Sequence, residues 1–147
     1  MKYIERKDYN KVITIKLVIP GGCNCKCPFC YMQDYDTAMA NNFDDFHSNY
    51  LISLLYLIEK IGDKNPISLD ITGNEPTLNS TQFITILREL DEADIKSKVQ
   101  RVTLTTNGFN LMKVAPYLKG VVDYVNISVH DYDFDRRQEI MGAKTFM

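Results

Sequence analysis

Four runs of aliphatic and β-branched residues, each cut off by a turn-forming sequence and separated by helix-length segments, limit this chain to one fold class. Val12 to Ile19 stops at Pro20-Gly21-Gly22, and Ile67 to Ile71 stops at Thr72-Gly73-Asn74-Glu75-Pro76-Thr77. Arg101 to Thr105 stops at Thr106-Asn107-Gly108, and a run from Val121 to Val129, with its strand expected to begin near Tyr124, stops at Ser128-Val129-His130. Such runs read as strands. Between the first two, Asp44 or Asp45 predicts an N-cap for a helix to about Ile61, with Leu51, Leu54, Leu55, Ile58 and Ile61 as its apolar stripe and Gly62 as its stop. A second helix is expected from Asn79 or Ser80, with Phe83, Ile86, Leu87 and Leu90 on one face. A third over Leu111–Leu118 carries Pro116 and is closed by Gly120, and a fourth starts at Asp133. The order β-α-β-α-β-α-β-α predicts an α/β fold with a parallel sheet and right-handed crossovers. The near-continuous apolar character of the first run predicts a strand buried on both faces.

Every cysteine lies in the loop after the first strand, Gly22-Cys23-Asn24-Cys25-Lys26-Cys27-Pro28-Phe29-Cys30-Tyr31. Cys23, Cys27 and Cys30 are spaced C-x3-C-x2-C. Three thiolates on one short loop suit a metal site with a position left for something else, because thiolates hold zinc and iron–sulfur centres alike. A disulfide framework would instead distribute its cysteines along the chain. Structural zinc is the competing reading, with Cys25, His47 or His130 as fourth ligand. Cys25 is otherwise expected to be a bystander, and Tyr132 and the other tyrosines to serve packing.

Charge sets further bounds. The 147 residues carry a formal net charge of −2, which recommends neither a nucleic-acid surface nor an anionic membrane. Arg136-Arg137 reads as a solvated helix start. The apolar segment Leu51–Ile58 is too short to span a bilayer, and the N-terminal residues lack the apolar run of a secretory signal, so a cytoplasmic protein is expected.

Taken together, Cys23-x3-Cys27-x-Phe29-Cys30 after the first strand, Gly73-Asn74-Glu75-Pro76 after the second, Thr106-Asn107-Gly108 after the third, and Ser128 with His130 at the fourth resemble the radical S-adenosylmethionine (radical SAM) superfamily. The resemblance covers roughly residues 12–135. It implies a 4Fe-4S cluster on Cys23, Cys27 and Cys30, with S-adenosylmethionine completing the open iron. It also implies reductive cleavage to a 5′-deoxyadenosyl radical that takes hydrogen from a substrate the sequence does not identify. Phe29 and the backbone of Tyr31 would lie near the adenine. Gly73, Asn74, Glu75 and Pro76 would meet the methionyl ammonium, Glu75 as a carboxylate suited to a cation. Ser128 and His130 would serve the ribose or the methionyl carboxylate, with Asn107 assisting. The family's usual second glycine is Asn74 here, a residue that tolerates positive φ. A low-potential donor such as flavodoxin or ferredoxin is the implied partner.

The family's barrel has six strands, so the resemblance implies about four βα units of a (β/α)6 barrel in a single domain over 1–147, incomplete at its C-terminal end. An eight-unit barrel takes about 31 residues per unit, which agrees with fewer than five units here. An open sheet leaves unpaired edges, for which three explanations compete: a fragment or truncated product, which is favoured; pairing with itself or another chain through the open edge; or a minimal version whose substrate covers the opening. The alternative to an enzyme is a non-catalytic zinc or iron–sulfur module, or an inactive truncated barrel.

Overall fold

The computed structural model describes residues 12–30 and 46–142, without the side chains of residues 46–48 and 134. The lead-in over residues 1–10, the Asp44 or Asp45 cap, the Tyr31 backbone and the His47 side chain lie outside the described residues.

Strands β1 (Ile13–Ile19), β2 (Ile67–Gly73), β3 (Arg101–Thr106) and β4 (Tyr124–Ile127) form one sheet in the order β1-β2-β3-β4. Every pairing is parallel, with Ile13 opposite Ile67, Ser68 opposite Arg101 and Thr103 opposite Tyr124. Helices α1 (Ile52–Gly62), α2 (Ser80–Glu92), α3 (Ile95–Lys98), α4 (Leu111–Leu118) and α5 (Phe134–Met141) alternate with the strands. This is the α/β arrangement expected, a partial parallel barrel of four strands.

Sequential strand order with crossovers of one hand places the helices on one side of the sheet. On that side Leu17, Ile19, Leu69, Ile71, Val102 and Leu104 pack with Ile58, Phe83, Ile86, Leu87, Leu90 and Val114 into one core. The alternate strand positions carry Thr14, Lys16, Ser68, Asp70, Thr103 and Thr105, a polar inner face. This corrects the expectation for the first strand. β1 alternates instead of being buried on both faces, and Val18 on its inner side is 42% exposed. Because the helices pack on one side of the sheet, β1 has a core on one side only. β2, between two neighbours, is buried over Ile67, Ser68, Leu69 and Ile71.

Local chemistry accounts for the element ends. The Asn79 side chain accepts from the Gln82 N–H at 3.1 Å and caps α2. The Asp133 side chain accepts from the Arg136 N–H at 3.0 Å and caps α5. Two features depart from expectation. The helix before β2 opens with a π-helical segment, Phe46–Leu51, and α3 interposes a turn after Asp94, whose φ of 53° ends the preceding helix. Leu55 and Ile61 are only partly buried against the core. Arg137 is 9% exposed, while Tyr132, expected to pack, is 95% exposed.

Candidate functional site

The strand ends meet at the carboxyl edge of the sheet, where parallel folds place chemistry because loops converge there while the strands hold them apart. Gly73 closes the β1–β2 end. Its φ is +146°, and a Cβ there would stand 2.5 Å from the Ile19 carbonyl oxygen, so only glycine allows this approach. The positive φ belongs to Gly73 and not to Asn74. Asn74 instead works through its side chain, whose Nδ2 donates to the Gly21 carbonyl at 2.9 Å and ties the end of β2 to the start of the cysteine loop.

Glu75 is 5% exposed. Its Oε1 accepts from the Thr77 N–H at 3.1 Å, the Thr77 hydroxyl at 2.6 Å and the Thr106 hydroxyl at 2.6 Å, while Oε2 accepts from the Asn107 N–H at 2.7 Å. Four donors around one carboxylate make a buried ion that is satisfied within the protein. Glu75 thus bolts the β2 end to the β3 end. Asn110 adds a second tie, its Nδ2 donating to the Thr77 carbonyl at 2.9 Å and the Leu78 carbonyl at 3.2 Å.

Asn107 carries this framework to the cysteines. Its Oδ1 accepts from the Phe109 N–H at 3.0 Å, and its Nδ2 reaches Asn24 Oδ1 at 2.7 Å, Cys25 Sγ at 3.3 Å and Cys23 Sγ at 3.7 Å. The loop has a second anchor, since the Lys26 N–H donates to the Met141 carbonyl at the end of α5. Phe29, 58% exposed, meets His130 edge to face with ring centroids 4.6 Å apart, so the first loop touches the fourth strand end. The Ser128 N–H donates to the Thr106 carbonyl at 2.9 Å and extends the β3–β4 ladder past Ile127.

No disulfide joins any of the four cysteines. Burial pushes the Cys25 thiol up to about 12, with Cys23, Cys27 and Glu75 adding to the rise. Burial also raises Cys27, helped by Cys23 and Cys30. Desolvation and neighbouring thiols thus favour the protonated form of Cys25 and Cys27 until a cation takes the proton's place. Among the described residues no three His, Cys, Asp or Glu side chains are already gathered around one point. The donor set nonetheless fits an iron–sulfur cluster: three thiols share one loop, and beside them the Asn24 Nδ2 is buried with no partner among the described residues.

The structure therefore brings together Cys23, Asn107 and Glu75 on one side and Phe29 and His130 on the other. Thr77, Thr106 and Asn24 stand in the loops that the sequence marks out but carry no expected site role there, and Asn110 is not singled out by it. Their hydroxyls and amides are common in turns, and only the fold shows that Glu75 and Asn107 face them.

The family profile of the radical SAM superfamily matches residues 17–147. The chain is 36% identical over 131 residues to the "Probable GTP 3′,8-cyclase" of Sulfurisphaera tokodaii, covering 88% of this chain and 38% of that protein. It is 32% identical over 136 residues to the protein of the same name from Saccharolobus solfataricus, covering 90% of this chain and 39% of that protein. The Sulfolobus acidocaldarius protein of that name is 34% identical over 131 residues, with 88% of this chain and 38% of that protein covered. The chain thus spans less than two fifths of the length of the curated relatives it matches. From its strand-end loops to its profile, the chain belongs to the radical SAM superfamily.

Proposed function

We propose that this chain holds a 4Fe-4S cluster on Cys23, Cys27 and Cys30 and binds S-adenosylmethionine across the four strand ends, as the radical-generating part of an enzyme. The observation that carries this reading is the convergence of the three-thiol loop with Asn107, Asn74 and His130 at one edge of a parallel sheet. When bound, the pair supplies one low-potential electron to a sulfonium and thereby a 5′-deoxyadenosyl radical able to abstract hydrogen.

The protein's share is positioning. Gly73 brings two strand ends together without a side chain between them, and Asn74 keeps the cysteine loop against β2. The Glu75 carboxylate is engaged by four internal donors, so the methionyl ammonium falls to backbone carbonyls at Gly73–Pro76. Phe29 and His130 present an aromatic pair suited to an adenine face. Ser128 and His130 remain the candidates for the ribose or carboxylate. The expected electron donor is a low-potential flavodoxin or ferredoxin in the cytoplasm. No helix among the described residues is long and apolar enough to cross a membrane.

The name shared by the relatives makes GTP the first substrate to test. In the strand-end segments 20–30, 74–79, 107–110 and 128–133, Lys26 is the single Lys or Arg. A triphosphate needs several cationic partners, so its charge would have to be met by groups outside these segments.

Anaerobic reconstitution should load about four irons per chain, S-adenosylmethionine should perturb the EPR spectrum, and dithionite should release 5′-deoxyadenosine. Cys27→Ala should abolish the cluster while Cys25→Ala retains it. One tightly held zinc and no response to S-adenosylmethionine would establish the non-catalytic module instead. A full cluster with bound S-adenosylmethionine but no cleavage would identify an inactive partial barrel.

A further inference from the structure

The hydrogen bonds at the β3 end fix the orientation of two side-chain amides in turn. The Phe109 N–H can only donate, so the atom of Asn107 facing it at 3.0 Å is Oδ1. Nδ2 of Asn107 then points at the cysteine loop, and the atom of Asn24 that receives it at 2.7 Å is Oδ1. That leaves Asn24 Nδ2 turned away from Asn107, buried and without a partner among the described residues. The Asn107 main chain is held by Glu75 Oε2 at 2.7 Å, and its side-chain amide is held at both ends, by the Phe109 N–H and by Asn24 Oδ1. A buried N–H2 with no acceptor is costly, because it has given up water and gained nothing in return. Here it lies between Cys23 and Cys25 in a loop whose chemistry gathers electron-rich sulfur.

We propose that Asn24 Nδ2 donates an N–H···S hydrogen bond to a thiolate or sulfide sulfur of the cluster, and that Asn107 is the positioning residue that turns the Asn24 amide toward it. The inference rests on the cluster reading above. N–H donors to cluster sulfurs stabilise the more negative, reduced state and so raise the reduction potential. The pair Asn24–Asn107 thus sets how readily the cluster accepts an electron, while the cysteines alone set whether it binds.

The test uses the full chain, reconstituted anaerobically, with iron and sulfide content, the EPR spectrum and the midpoint potential as readouts. Asn24→Ala should keep the parent's iron while its midpoint moves to more negative potential and its EPR signal shifts. Asn24→Asp, which replaces the donor with a negative oxygen, should move it further. Asn107→Ala should move it in the same direction, through the lost orientation of Asn24 and through its own contact with Cys23 Sγ at 3.7 Å, so the double Ala variant should move it somewhat further than Asn24→Ala but by less than the sum of the two. Full iron in Asn24→Ala with an unchanged potential and spectrum overturns the proposal and leaves the cluster reading intact. Loss of iron in both Asn24 variants, with amide exchange in β2 and β3 as in the parent, makes Asn24 a loop support and also overturns it. A parent chain that binds no iron sinks the cluster reading, and this proposal with it.

Discussion

At Gly73, opposite Ile19, a single hydrogen in place of a methyl group decides whether the first two strand ends can meet. A Cβ 2.5 Å from a carbonyl oxygen must displace backbone, because no flexible side chain is there to yield. Gly73→Ala combines that clash with an unfavourable φ, and such backbone strain costs about 1–3 kcal/mol. Chemical denaturation of the anaerobic apo chain should show a lowered midpoint with an unchanged slope. Thr106 poses a different problem. Its hydroxyl donates to Glu75 Oε1, so Thr106→Val leaves a buried carboxylate one donor short, at about 1–3 kcal/mol. The same unfolding experiment should rank Thr106→Val below Thr106→Ser, which keeps the hydroxyl.

The β3–β4 pair depends on an ion at its opposite end. Asp123 accepts the Val102 N–H at 2.8 Å while its own N–H donates to the Val102 carbonyl at 2.9 Å, and Lys96 on α3 pairs with the carboxylate. Burial alone would raise Asp123, but the Lys96 bond, the Val102 N–H and Arg101 together hold it below the usual carboxylate range. A carboxyl lowered on folding adds stability that is present above its unfolded pKa of about 3.9 and lost as pH falls through the lower folded value. Acid titration of the fold should therefore show a loss of stability below about pH 4 that is smaller in Asp123→Asn. At neutral pH that variant should be less stable by about 1 kcal/mol.

The elements themselves were largely legible in the sequence. β-Branched runs ending in Pro-Gly-Gly or Thr-Asn-Gly announce strands, and Asn79 and Asp133 announce caps, because both signals act over a few residues. The tie from Glu75 to Thr106 and Asn107 spans 31 and 32 positions, and nothing local to Glu75 reveals it. The one-sided burial of β1 was hidden for a related reason. Its residues are apolar enough for a strand covered on both faces, and only the packing of the helices on one side shows that one face is left open.

Across the whole molecule, the cysteine loop is the junction between distant parts. Its Lys26 N–H bonds to Met141, and a Cβ on Gly142 would come within 3.0 Å of the Lys26 Cβ. The φ of Gly142 is +68°, so a side chain there meets both strain and contact. Gly142→Ala should loosen the loop without dissolving the sheet. In the anaerobic apo chain, the four thiols should alkylate faster than in the parent, while hydrogen exchange in β2 and β3 stays unchanged.

That junction also orders events in time. Cys23 to Cys30 leave the ribosome before the residues that hold them, since Asn107 lies 83 residues beyond Asn24 and Met141 lies further still. At roughly 5–20 residues per second, synthesis of the intervening chain takes several seconds or more. During that interval the thiols have neither amide donor nor helix end beside them. The loop can take its described shape only once α5 has been made, so a cell that loads iron into this protein gains an ordered receiving site only near the end of translation of these residues.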